Sequence, residues 1–318
     1  MSYPLYTRAS ANERPRLALV IGSGAVNCAA ALGLRRVLER EGIEVDLFVG
    51  CSGGSLYAAA WALGVPLDEC ERLTHTLWQR HLMTKRDPRA LARAFLPKLL
   101  GFTSAFGLVD DRPLYKVLRQ TFGSHRVEDT TAPLRVVATD FETGELVPLA
   151  FGAMADAIRA SIAIAFVWPP WSVDGRLLSD GCLSDPIPAC VAIDAGADVV
   201  IALGFEATHP RQVSSPLRFA FQVTSVYTNS LYRTALRLHQ RSAALAGGVP
   251  LLPIEPVFKR RISMLSTSAI PHAIRAGARA TEAMLPRIIE AWERRRQPTL
   301  SMVQQPTRTP TAANRAGA

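Results

Sequence analysis

The stretch DLFVGCSGGSLYAAAWALG, residues 46–64, sets Ser52 in a cluster of small residues between an apolar run and an alanine-rich one. A serine alcohol can act as a nucleophile where a strand turns sharply into a helix and holds the hydroxyl at the apex. The residues two before and two after the apex must then be small. Framed on Ser52, those positions are Gly50 and Gly54; framed on Cys51 they are Val49 and Gly53, and the valine does not fit. The spacing therefore selects the serine and leaves Cys51 as a neighbour. The helix opening here adds unpaired amides and a positive dipole end, both of which stabilise an oxyanion beside Ser52. A plain glycine-serine loop has the same letters, so the reading needs partners.

One partner is a second glycine loop, GSGAVN at 22–27, at the end of the first apolar run. A dinucleotide fold would require an acidic residue at the end of the second strand to hold a ribose. That position is taken by the Gly50–Gly54 cluster, and Asp46 lies too early. A phosphate-binding Walker loop is excluded because no Lys-Ser/Thr pair follows. Neighbouring parallel strands end on one edge of a sheet, so the amides of Gly22, Ser23 and Gly24 would join that of Gly53 in an oxyanion hole.

The other partner is a base. Of the six histidines, His209 alone follows a late strand, VIALGF, in the manner of a histidine triad, whereas His239 and His272 fall in helical surroundings and read as surface or core positions. Asp180, in GRLLSDGCLSDPIP, follows a short strand at an Asp-Gly turn, beside the aromatic run AFVWPPW. Such surroundings raise the basicity of a carboxylate enough to take a proton from serine. The same Asp-Gly pair is also an ordinary hairpin signal.

The elements that must position these residues follow from the apolar pattern. LALVI (17–21) and IEVDLFVG (43–50) read as strands, each followed by a helix closed by a glycine, Gly42 and Gly64. Two strand–helix units in about 45 residues point to a parallel, helix-covered sheet. LRVVATDF (134–141) is a third strand, with a hairpin through Thr143-Gly144, and DVVIALGF (198–205) a further one. A long amphipathic stretch covers 215–245 and a last helix 270–295. The predicted organisation is a loose N-terminus (1–15), one α/β domain (16–296) and a disordered tail (297–318). Within the domain, 80–125 is a basic helical insertion and a candidate lid.

The chain has 318 residues and a net charge of +9. Residues 80–98 hold four Arg and two Lys against one Asp, which suits an anionic phospholipid surface or nucleic acid. No aromatic interleaving supports the nucleic-acid reading. Five cysteines without metal-ligand spacing point away from a disulfide framework and a zinc site, and toward a reducing compartment. Glycines and polar residues interrupt 17–34, so no membrane crossing is read there. Neither is a signal peptide read at the N-terminus. The expected location is cytoplasmic, with possible peripheral contact to membranes.

These segments together resemble the patatin-like phospholipase family. GSGA, GCSGG, RASIAIAFVWPPW and SDG stand in the family's order, and VVATDFETGELV is similar to its strand-and-hairpin segment. The resemblance implies a three-layer α/β sandwich with a mainly parallel sheet, hydrolysing acyl esters of lipids through a Ser–Asp dyad without histidine or cofactor. By position Ser52 is the nucleophile and Asp180 the base, with Gly22, Ser23, Gly24 and Gly53 forming the hole. This sequence departs from the family in three places. Its loop has Ser23 for a glycine and no arginine, Cys182 stands for a glycine, and Asp185-Pro186 stand where asparagines are common. Two rival readings are an esterase with a His209 triad and a non-catalytic lipid-surface protein.

Overall fold

The structure is a computed structural model of the 318-residue chain and describes residues 15–79, 81–82, 85–104, 106–206, 214, 216–246, 248–258 and 267–296. Its strands are β1 (Leu17–Ile21), β2 (Leu47–Cys51), β3 (Leu134–Asp140), β4 (Leu146–Leu149), β5 (Trp171–Val173), β6 (Arg176–Asp180), β7 (Val199–Leu203) and β8 (Leu251–Ile254). Helices α1 (Ala30–Arg40), α2 (Gly53–Ala62) and α3 (Leu67–Leu77) come first, then α4 (Pro88–Phe95), α5 (Pro97–Leu100) and α6 (Arg112–Phe122). They are followed by α7 (Met154–Ser161), α8 (Ala189–Asp194), α9 (Pro216–Leu245) and α10 (Ile270–Arg296).

The strands form one sheet in the order β5-β6-β3-β2-β1-β7-β8, with β4 also paired to β3. From β3 to β8 the neighbours are parallel, whereas β4, β5 and β6 join antiparallel at one end. The sheet is thus mixed around a parallel centre. Each of LALVI, LFVGC and VVIAL is buried along its whole length, because helices cover both faces of a parallel sheet. Alternation splits their side chains between two cores. Leu17, Leu19, Ile21 and Phe48 pack with residues of α1, α2 and α10. Ala18, Val20, Leu47 and Val49 pack with Ala189 and Ala192 of α8 and with Tyr232 and Ala235 of α9. The result is the helix-covered sheet that the apolar pattern pointed to, in the three-layer α/β sandwich that the resemblance implied.

One detail of the sheet positions the site. β3 has two edges. At Val136 and Val137 it pairs with both β2 and β4, and at Ala138 and Thr139 with both β4 and β6. β4 therefore holds one edge, and β2 and β6 share the other, end to end. Cys51 is registered with Val137 and Asp180 with Ala138, the next residue. The last residue of β6 is thereby brought to the turn that follows β2.

Among the described residues no helix is long and apolar enough to cross a membrane. The stretch 17–34 divides into β1, a loop, a short 3-10 turn (Ala25–Ala29) and the start of α1. The expected N-terminal segment and tail lie almost wholly outside the described residues.

Candidate active site

Ser52 lies between β2 and α2 with φ 52° and ψ −129°, a backbone region that residues with a side chain rarely enter. Close packing on three sides forces this turn. A Cβ on Gly50 would lie 2.5 Å from Ser55 Cα, and one on Gly54 2.2 Å from the Ile21 carbonyl oxygen. One on Gly53 would lie 2.8 Å from the Ala25 carbonyl oxygen. The two outer glycines are thus needed against α2 and the end of β1, and Gly53 against the first glycine loop. Hydrogen bonds hold the apex on either side. Ser52 N–H donates to Ser161 Oγ (2.9 Å), and Ser161 in turn donates to the Val137 carbonyl (2.6 Å). The Ser52 carbonyl accepts from Ser55 N–H (2.9 Å) and Ser55 Oγ (2.6 Å).

Ser52 Oγ donates to Asp180 Oδ2 at 2.7 Å. The other carboxylate oxygen, Oδ1, accepts from Cys182 N–H at 2.9 Å. The Asp180 carbonyl accepts from Thr139 Oγ1 and its N–H donates to the Ala163 carbonyl, so the backbone on which this carboxylate sits is held by partners at both ends. Asp180 is buried. Burial pushes its carboxyl up to about 6, against the lowering effect of the bonds from Cys182 N–H and Ser52. A carboxylate with that basicity, in contact with a hydroxyl, is suited to general-base work near neutral pH.

The four residues expected to form the hole divide in two. Gly22 N–H donates to the Leu203 carbonyl (2.9 Å) and Ser23 N–H to the Pro186 carbonyl (2.8 Å), so both amides serve the loop itself. The amides of Gly24 and Gly53 have no hydrogen-bond partner among the described residues. Gly24 borders an open cleft of about 210 Å³ together with Asn27, Ser52, Asp180, Phe205 and Phe221, and Gly53 lies on the other side of Ser52. Ser52 also borders a smaller, apolar cavity against Leu56, Leu77, Trp78, Leu114, Ile164 and Trp168.

Several rivals to this pairing are placed elsewhere. Cys51 is buried in the core on the α8–α9 face, its thiol against the Asp185 carbonyl. Asp46 accepts from Leu17 N–H at 2.8 Å and so ties β2 to β1. His209 lies outside the described residues. No described histidine hydrogen-bonds Ser52 or Asp180.

Two arrangements were not read from the sequence. Ser161 lay inside the quoted RASIAIAFVWPPW segment, and only the tertiary contact reveals that it holds the Ser52 amide. The second is an Asp185–His239–Cys190 chain. His239 Nε2 lies 2.6 Å from Asp185 Oδ2, and Nδ1 lies 2.7 Å from Cys190 Sγ. Burial alone would lower His239; the hydrogen bonds to Asp185 and Cys190 and the Asp185 charge outweigh it and carry the imidazole up to about 9. This clamp joins α9 to the segment 180–187, which carries both Asp180 and the Pro186 carbonyl that holds Ser23.

The chain belongs to the patatin-like phospholipase family, whose description matches residues 19–193. Members of that family are in general hydrolases of lipid acyl esters. An NTE family protein of Mycobacterium tuberculosis (strain ATCC 25618 / H37Rv) is 31% identical over 246 residues, covering 77% of this chain and 63% of that protein. The patatin-like phospholipase domain-containing protein 7 of Rattus norvegicus is 29% identical over 189 residues, 59% of this chain and 13% of its own. The present chain thus spans under two thirds of the length of these relatives. VipD from Legionella pneumophila is a structural neighbour with a TM-score of 0.48 and 14% identity, over 86% of this chain and 67% of that one.

Two outcomes follow from the supporting contacts. Ser161→Ala leaves the Ser52 amide and the Val137 carbonyl buried without partners, and a loss of roughly 1–3 kcal/mol is expected in urea denaturation. The His239 shift is upward, so the stability it contributes is complete below about 6.5 and is lost as pH rises through about 9. The melting-temperature gap between the wild type and His239→Gln is accordingly expected to narrow across that range.

Proposed function

We propose that the protein is a serine acyl hydrolase acting on carboxylic esters of lipids, of the phospholipase A or lysophospholipase kind, through a Ser52–Asp180 dyad. The observation that carries this reading is the 2.7 Å hydrogen bond from the Ser52 hydroxyl, on a strained turn, to a buried carboxylate of raised basicity. In the proposed reaction Asp180 takes the Ser52 proton as Oγ bonds to the ester carbonyl carbon. The carbonyl oxygen becomes an oxyanion facing the amides of Gly24 and Gly53. Collapse breaks the bond to the leaving alkoxide, which receives the proton from Asp180. A water molecule, deprotonated by Asp180, then attacks the acyl-enzyme and releases the fatty acid, and the proton returns to Ser52.

Roles for Gly22 and Ser23 in this scheme are indirect. Their amides brace the loop against β7 and Pro186, so that the next amide, on Gly24, is left for the oxyanion. The apolar side chains beside Ser52, among them Leu56, Leu77, Ile164 and Trp168, suit an aliphatic acyl group as the part of the substrate nearest the serine. Catalysis by two side chains and two amides calls for no cofactor.

A serine-directed fluorophosphonate probe tests the assignment. Wild type is expected to label, and Ser52→Ala to stay unlabelled; equal labelling of both ends the proposal. Ester hydrolysis by Asp180→Asn is expected to fall by at least about 10³-fold, on the scale of losing an essential base. In wild type, kcat/KM is expected to rise with pH through about 6 as Asp180 ionises. The raised carboxyl also means that the folded state binds this proton more tightly than the unfolded chain, so the ionised Asp180 lowers stability above pH 6. Asp180→Asn is therefore expected to melt at a higher temperature at pH 7, by up to roughly 2–3 kcal/mol in stability.

A further inference from the structure

Residues 88–109 contain no Asp or Glu; their only charges are Arg89, Arg93 and Lys98. None of these three has a carboxylate within salt-bridge distance among the described residues. In the same stretch large apolar side chains point to solvent: Phe95 is 81% exposed and Leu99 77%, with Leu96 and Phe102 about half exposed. Helix α4 begins with the Asp87 side chain accepting from Arg89 N–H, and Pro97 then breaks it from α5. The result is a bent helical tip with a hydrophobic crest whose own charges are all cationic, the carboxylates of Asp87, Asp110 and Asp111 lying at its base. Scattered single apolar residues on a surface need no explanation, but four within eight residues, with cations and no acids, form a patch that calls for a partner.

We propose that this tip, residues 89–102, docks the protein onto an anionic phospholipid surface, Phe95, Leu96, Leu99 and Phe102 entering the interface and Arg89, Arg93 and Lys98 meeting the headgroups. Apolar side chains at the interface and cations at the headgroup level are how amphipathic segments lie on membranes, and the crest itself carries no acidic residue, the nearest carboxylates standing at its base. The tip is joined to the site. Asp87 N–H donates to the Leu108 carbonyl, Leu108 N–H to the Phe166 carbonyl, and Val109 N–H to the Val167 carbonyl. Ile164 and Trp168, on either side of that pairing, line the apolar cavity next to Ser52. The stem of the docking element is thus hydrogen-bonded to the wall of the candidate active site, and half-exposed Phe166 lies on the same segment. Docking would bring the lipid to the apolar side of Ser52. This deepens the proposed lipid hydrolase reading and rests on it only for the fate of the lipid, not for the binding.

Vesicle sedimentation tests the proposal with the full chain carrying Ser52→Ala, so that hydrolysis does not enter. That protein is expected to bind vesicles containing 30% phosphatidylglycerol, at least about tenfold more strongly than pure phosphatidylcholine vesicles, and to be released as salt rises. Two variants built on it, Phe95→Ser/Leu99→Ser/Phe102→Ser and Arg89→Gln/Arg93→Gln/Lys98→Gln, are each expected to lose at least about tenfold in binding. Equal binding by both variants, or none by the parent, overturns the proposal. So does a parent that dimerises in sedimentation velocity while the apolar variant is monomeric, since the crest then belongs to a second copy. If a triple variant fails to fold, the single change Leu99→Glu at this exposed position takes its place. Hydrolysis of a water-soluble short-chain ester, measured with Ser52 restored, is expected to be unchanged in the tip variants. No vesicle binding by the parent alongside intact ester hydrolysis removes docking alone, whereas a wild type inert toward all esters removes the hydrolase reading and leaves docking standing.

Discussion

The candidate site depends on the way β3 is shared. A strand offers one edge to each side, and along that edge β3 accepts β2 in parallel up to Val137 and β6 antiparallel from Ala138 onward. The two strands meet head to head on a common template. At their junction the backbone of β2 leaves for α2 and that of β6 ends in Asp180. The hydroxyl and the carboxylate face each other at 2.7 Å because the ladder has already set their backbones one register step apart. No flexible segment has to close to bring them together. The antiparallel end of the sheet, which looks like a departure from a parallel plan, is what supplies the carboxylate.

Around that junction the polar groups are matched in a definite order. The strained Ser52 turn is stable because its amide and carbonyl both have partners, on Ser161 and Ser55. In the first glycine loop the first two amides are used by β7 and by Pro186, and the next one is left over. An unpaired amide at the edge of a cleft has free energy to gain from an anion placed before it. The segment 180–187 is central to this order. It carries Asp180 at one end, the Pro186 carbonyl that braces the loop at the other, and Asp185 between them. Asp185 is gripped by the imidazole of His239 from α9. A single segment thus couples the carboxylate, the first glycine loop and the helix that borders the cleft. The cost is a buried carboxylate with no cation beside it among the described residues, and its burial is the source of its raised basicity.

Much of this was legible in the chain. Three strands had the continuous apolar letters of a sheet covered on both faces, and Gly50 with Gly54 distinguished Ser52 from Cys51. The reason for those glycines was less accessible. They are small because α2 and the end of β1 press on them, not because they press on each other. Ser161 carried no visible signal, since a serine in a helix normally turns to solvent or to its own backbone, and this one reaches a turn 109 residues away. His239 read as an ordinary helical position for the same reason: its partners Asp185 and Cys190 are about 50 residues distant.

The sequence by itself determined the local chemistry. It settled which element each residue would join, which residue types were small enough or polar enough for their places, and the family, because motif order survives in one dimension. What only the tertiary structure decided was which backbone amides are already taken. Gly22, Ser23 and Gly24 are equivalent as letters in a glycine-rich loop. The packing of β7 and Pro186 against that loop separates them, because a hydrogen bond to a carbonyl from a distant strand consumes the donor. The same holds for the carboxylate: Asp180 is one aspartate among many until burial on a shared strand edge raises its basicity and places it against Ser52.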